Sequence, residues 1–174
     1  MLCCFVCFQK DEPTMSWRES YKLSWSDFKA KPQNNGDAAA VTASGITFGF
    51  SIRQTDRNQV VSFNTDIHAH FYPEQSWYKV EVADNHILGH EQLHFDITEL
   101  YARKFRYRIS QLRISNGVKK QLKKIHNDIK SELSSLQTKY DNETDYSRNY
   151  EAQAKWQKII KAELKTFSKF KSVD

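Results

Sequence analysis

The sequence predicts an α+β domain: a small mixed or antiparallel sheet in the first half, then one long helix followed by two more. Three observations carry this. Ile46, Phe48, Phe50 and Ile52 alternate with Thr47, Gly49, Ser51 and Arg53, the period of a half-buried strand. Ile87, His90, His94, Ile97, Tyr101 and Phe105 recur in steps of three and four, with no Pro or Gly between Gly89 and Gly117. Past Gly117, two further amphipathic stretches follow.

Taken in order, residues 21–25 alternate as a short strand, and Ser26, Asp27 and Phe28 begin a turn or helix. Residues 31–37, with Pro32, Asn34, Asn35 and Gly36, form a loop. After the strand over 46–53, Asp56, Arg57 and Asn58 make a turn, and residues 59–63 and 67–72 read as a second and a third strand. Pro73 to Ser76 end the latter, and residues 77–82 form a fourth, shorter strand. The long helix spans about 84 to 114, with Asp84 at its N-cap. Leu122, Ile125, Ile129, Leu133, Leu136 and Tyr140 mark the second helix. A polar break over 141–149 separates it from a last helix carrying Trp156, Ile160 and Phe167.

At 174 residues, with 39% hydrophobic and 13% aromatic content, the chain suits a single globular domain. Its net charge of +5 arises from Gly117 onward, where 13 Lys and Arg face 8 Asp and Glu. These lysines are spaced along helices without interleaved aromatics, which describes a solvated face and excludes a nucleic-acid partner. Cys3, Cys4 and Cys7 all precede the folded body, so there is no disulfide framework, and Cys4-x-x-Cys7 lacks a second pair. Residues 1–13 read as a leader or signal-peptide remnant, leaving 14–174 as the domain. The expected location is extracytoplasmic, periplasmic or secreted, with lipid attachment at one of these cysteines an option. No run reaches the roughly 20 apolar residues of a membrane span.

The chemistry concentrates in His90-Glu91-x-x-His94. Residues four apart on a helix share a face, so both imidazoles can reach one Zn2+, which in a catalytic site takes three protein ligands and keeps an open position for water. Glu91 stands where a general base would take that water's proton, the arrangement of zinc peptidases. The third ligand is less evident. Glu143, in the polar break with Asp141 and Tyr146, is the candidate; its other reading is a carboxylate near the positive end of the last helix. Asp96 is placed to accept a hydrogen bond from a ligand imidazole, and Tyr101 and Tyr146 to stabilise an oxyanion or to pack. Glu99 reads as a surface charge, and His68 and His70, two apart on one strand face, as exposed polarity.

Residues 88–103, Leu-Gly-His-Glu-Gln-Leu-His-Phe-Asp-Ile-Thr-Glu-Leu-Tyr-Ala-Arg, resemble the hallmark of a bacterial family known as domain of unknown function 922, whose members are described as predicted secreted zinc-dependent proteases. Leu23-Ser-Trp-Ser-Asp-Phe28, Ser76-Trp77, Tyr140-Asp-Asn-Glu-Thr144, Gln153 and Trp156 extend the resemblance over about residues 17 to 165. It implies a zincin-like fold with an edge strand beside the motif helix, a bound zinc, and a peptide or protein substrate. Where the family pattern has His followed by Gly or Ser after the Glu-Thr, this chain has Tyr146-Ser147. If that His is the family's third ligand, the chain has replaced it. The alternative reading is therefore a catalytically silent zincin-like domain serving as a metal-containing binding or structural module.

Overall fold

The structure, a computed structural model, describes residues 12–33 and 37–172. Its sheet is built on a long antiparallel hairpin of β3 (Ser44–Gln54) and β4 (Val60–Phe71), with Ile46 opposite Ala69 and Phe48 opposite Ile67. The short β1 (Met15–Ser16) pairs with the other edge of β4. A separate two-stranded ribbon joins β2 (Ala40–Val41) to β5 (Trp77–Tyr78), also antiparallel. Alternation sorts the hairpin into two faces. Ile67, Ala69 and Phe71 are buried on one, whereas His68 and His70 lie on the other. There His68 Nε2 pairs with Asp66 Oδ1 at 2.7 Å and His70 Nε2 with Thr47 Oγ1 at 3.0 Å, as exposed polar strand residues do.

Three helices complete the α+β architecture: α1 (Asn85–Ser110), α2 (Val118–Thr144) and α3 (Tyr150–Thr166). Asp84 caps α1, its Oδ1 accepting from Ile87 N at 2.7 Å. α1 is the central element. Phe95 and Phe105 meet Phe71 and Phe48 of the hairpin, with ring centroids 5.8 and 4.7 Å apart. Its opposite side packs on α2 and α3, so Leu93, Ile97, Leu100 and Phe105 are all buried. α2 runs back antiparallel to α1: Gln137 reaches His94, and Glu132, earlier in α2, reaches Arg108, later in α1.

Several expectations are corrected. Residues 21–25 form no strand: Leu23 N donates to Gln92 Oε1 at 2.7 Å and Trp25–Asp27 is a single 3₁₀ turn, so Leu23 and Phe28 are buried from a loop. The second and third strands are one, β4, because Asn64 and Asp66 lie on its wet face rather than interrupting it. The strand over 77–82 stops at Tyr78. α1 ends at Ser110, and α2 continues through the polar stretch to Thr144. Glu99 is no surface charge. It is fully buried, accepting from Arg103 Nε at 2.8 Å, Ser172 N at 3.2 Å and Ser172 Oγ at 2.9 Å. The cysteines and nearly all of the leader lie outside the described residues. Among the described residues no helix is long and apolar enough to cross a membrane.

Candidate metal centre

Two helices each contribute a pair of side chains one turn apart. α1 presents His90 and His94; α2, running the other way, presents Gln137 and Asp141. The imidazole Nε2 atoms of His90 and His94 lie 3.2 Å apart, and Asp141 Oδ1 is 3.2 Å from the first and 2.8 Å from the second. Among the described residues this is the group of His, Cys, Asp or Glu side chains whose ligand atoms converge as a metal site requires. A tetrahedral zinc with bonds of roughly 2.0–2.1 Å separates its ligands by roughly 3.3–3.4 Å. The three donor atoms thus stand near the spacing a zinc would impose, with slight expansion, and the donor types fit it.

The surroundings orient these donors. His94 Nδ1–H donates to the side-chain oxygen of Gln137, whose Nε2 donates back to His94 O at 3.0 Å. That fixes the proton on Nδ1 and turns Nε2 inward. Tyr140, fully buried, stacks on the His90 ring at 4.5 Å and meets His94 edge-on at 5.0 Å. Its phenol is held far above its ordinary value, chiefly by burial. Burial opposes ionisation of Asp141, yet hydrogen bonds from His90 and His94 prevail and hold its carboxyl at about 2. Burial likewise opposes charge on His94, but the bond to Asp141 and the nearby Glu91 carboxylate raise it above the ordinary range. His90 Nδ1 and Glu91 Oε2 are buried with no hydrogen-bond partner, an unusual state for polar atoms outside functional sites.

These groups open onto a cleft of about 650 Å³. One wall is the segment around β2, whose Thr42 Oγ1–H donates to Glu91 O at 3.2 Å and ties the ribbon to the motif helix. The opposite rim is the turn between α2 and α3. Asp145, Tyr146 and Ser147 all take positive φ, 48°, 51° and 76°, a conformation that side chains other than glycine adopt at a cost. Tyr146 N bonds to Asp141 O at 2.9 Å and Asn149 N to Thr144 O at 2.8 Å. His86 Nε2–H donates to Ser147 O at 2.7 Å while its ring stacks on Tyr150 at 3.6 Å.

His90, Glu91 and His94 all line this one cleft. Glu143 does not join them: its Oε2 accepts from Trp156 Nε1 at 2.9 Å, and its other oxygen lies 3.7 Å from Lys139. The reason is helical geometry. The stretch 141–144 is helix rather than loop, and two residues of α-helix turn a side chain by about 200°, so Asp141 faces α1 and Glu143 faces α3. Asp96 does not orient an imidazole either. It accepts from Trp17 Nε1 at 2.7 Å and Gln92 Nε2 at 2.9 Å, fastening the N-terminal segment. The orienting role expected of it falls to Gln137. Tyr101 is buried two turns beyond His94, beside Lys104 and Trp156 and away from the cleft. Tyr146 is on the cleft, 58% exposed. Gln137, Asp141 and His86 were missed as contributors; the available signal was the four-residue spacing of Gln137 and Asp141 on a helix continued past Tyr140.

Comparison with curated proteins finds no match, and comparison with solved structures finds none. A sequence profile does match residues 19–151, a stretch holding His90, Glu91, His94, Gln137 and Asp141. Since that covers most of the chain, the protein belongs to the family described as bacterial protein of unknown function, DUF922.

Proposed function

We propose that the protein is a zinc-dependent metallopeptidase with a zincin-like site, acting on peptide or protein substrates outside the cytoplasm. One observation carries the reading: His90, His94 and Asp141 converge at metal-ligand spacing beside the buried, unpartnered carboxylate oxygen of Glu91. A zinc held there supplies Lewis acidity, which acidifies a water and polarises a carbonyl. The chain's residues do the rest. Glu91 Oε2 takes a proton from the attacking water and returns it to the leaving amine. Gln137 holds the His94 tautomer, and Tyr140 holds the plane of His90. Thr42 ties the β2 wall of the cleft to the motif helix at Glu91. Tyr146, exposed on the opposite rim, is placed to donate its phenol to the substrate carbonyl.

The silent-module reading drew on the Tyr146-Ser147 departure. Asp141 offers a third donor without any residue at 146, so that departure no longer counts against a bound metal. Zinc titration of chelator-treated protein, followed by peptide-mixture digestion, tests this. The expected result is one equivalent bound and zinc-dependent cleavage, with Glu91→Gln keeping the metal and losing roughly 10²–10⁴-fold in turnover. Tight zinc binding with no cleavage by wild type sinks the enzyme and leaves the module; no zinc binding sinks both.

A further inference from the structure

Beyond the metal donors, the cleft is lined by an apolar group together with a few polar residues, Asp37, Thr42, Ser147 and Arg148. Val41 from the β2 wall, Val82 from the turn after β5 and Ile87 from the first turns of α1 line it, with Tyr146 on the far rim. Val41 and Val82 are 37% and 50% exposed, so apolar side chains that folding left uncovered line the cleft beside the candidate centre. Exposed apolar side chains need no explanation singly, but a cluster in a concavity marks a binding surface.

Of the charged groups on the cleft, Arg148 lies on the exposed rim and pairs with Asp145, its Nε and one terminal nitrogen each bonding to it at 3.1 Å. Asp37 adds a second acidic neighbour to it. Glu91 and Asp141 would repel an anion, and a cation reaching them would compete with the metal. The space of about 650 Å³ exceeds what a catalytic water and a peptide bond need.

We infer that this lining is a specificity subsite for an aliphatic side chain adjacent to the scissile bond, so the substrates are peptides carrying a leucine-like residue there. The inference rests on the metallopeptidase reading above, but binding can test it without turnover. Burying such a side chain contributes about 1.5–3 kcal/mol, or roughly 10- to 150-fold in affinity.

The probes are N-acyl amino-acid hydroxamates with leucyl, lysyl or aspartyl side chains, titrated calorimetrically into the zinc-loaded full chain. Leucyl hydroxamate should bind at least about 10-fold more tightly than either charged probe. Val82→Asp, at an exposed turn position, should reduce that advantage several-fold. Three results overturn the inference: affinities of the three probes within twofold, a charged probe binding tightest, or a leucyl preference unchanged in Val82→Asp. Failure of the protein to take up zinc shows in the preceding titration; it defeats the metal reading and this inference with it. Zinc uptake with weak, unselective probe binding defeats the subsite alone.

Discussion

The helix α1 carries two polar clusters, and they are built on opposite terms. Near its start, His90, Glu91 and His94 gather with Asp141 at the lining of an open cleft, with one imidazole nitrogen and one carboxylate oxygen buried and unpartnered. Two turns on, Glu99 is fully buried among Arg103, Arg106 and Ser172, and both its oxygens are bonded. Arg106 extends that network to Phe170 O at 2.7 Å and Ile67 O at 2.6 Å, pinning the C-terminal segment against the hairpin. A satisfied buried network specifies structure, whereas an unsatisfied one is a place where something else binds. The difference separates a staple from a site on one helix, although in the sequence both are merely charged residues among apolar ones.

Removing the staple should have the largest effect on folding. Glu99→Ala leaves Arg103 and Arg106 without their buried anion and should lower stability by about 3–5 kcal/mol in denaturant unfolding. The folded fraction should still bind zinc with unchanged stoichiometry. Loss of zinc binding from folded Glu99→Ala protein would merge the two clusters into one.

The site should respond in the opposite manner. Gln137→Leu removes the acceptor that holds the His94 tautomer, and zinc affinity should fall roughly 10- to 100-fold, read by competition with a chromophoric chelator. Unchanged zinc affinity would assign Gln137 to packing alone.

A weaker contrast lies in pH dependence without metal. His94 is raised in the folded state, so its contribution is complete below about 6.5 and is lost as pH rises through its folded value. Asp141 is lowered to about 2, so its contribution is complete above its ordinary 3.8 and is lost as pH falls toward 2. In chelator, their joint contribution is therefore greatest between about pH 4 and 6.5. Thermal unfolding scans of wild type and Asp141→Asn in chelator should differ most in that window. A difference that grows above pH 8 would contradict the pairing.

How much was legible varied with whether position could be read from local pattern. α1 was visible because cap, periodicity and motif agreed over one segment: Asp84, then Ile87, His90, His94 and Ile97. β3 was visible because its alternation is uninterrupted. β4 appeared broken at Asn64 and Asp66, since polar residues on the wet face of a strand look like a turn when the opposite face is sparsely apolar. The placement of Glu143 was misread for a related reason. Asp141, Asn142, Glu143 and Thr144 lack apolar residues and read as loop, yet packing of Tyr140 and the antiparallel course of α2 carry the helix through them. Which carboxylate faces α1 then depends on helical phase, and His86 and Gln137 depend on contacts 61 and 43 residues away in the chain, which no local pattern records.

In the proposed site the third donor is Asp141, and Glu143 belongs to the packing of α3. Zinc affinity of Asp141→Ala and Glu143→Ala, measured side by side on folded protein at neutral pH, tests it most directly. Asp141→Ala should lose most of its zinc affinity, the site dropping to His90 and His94, while Glu143→Ala should bind zinc as wild type does. Full zinc affinity in Asp141→Ala, or its loss in Glu143→Ala alone, would contradict the account.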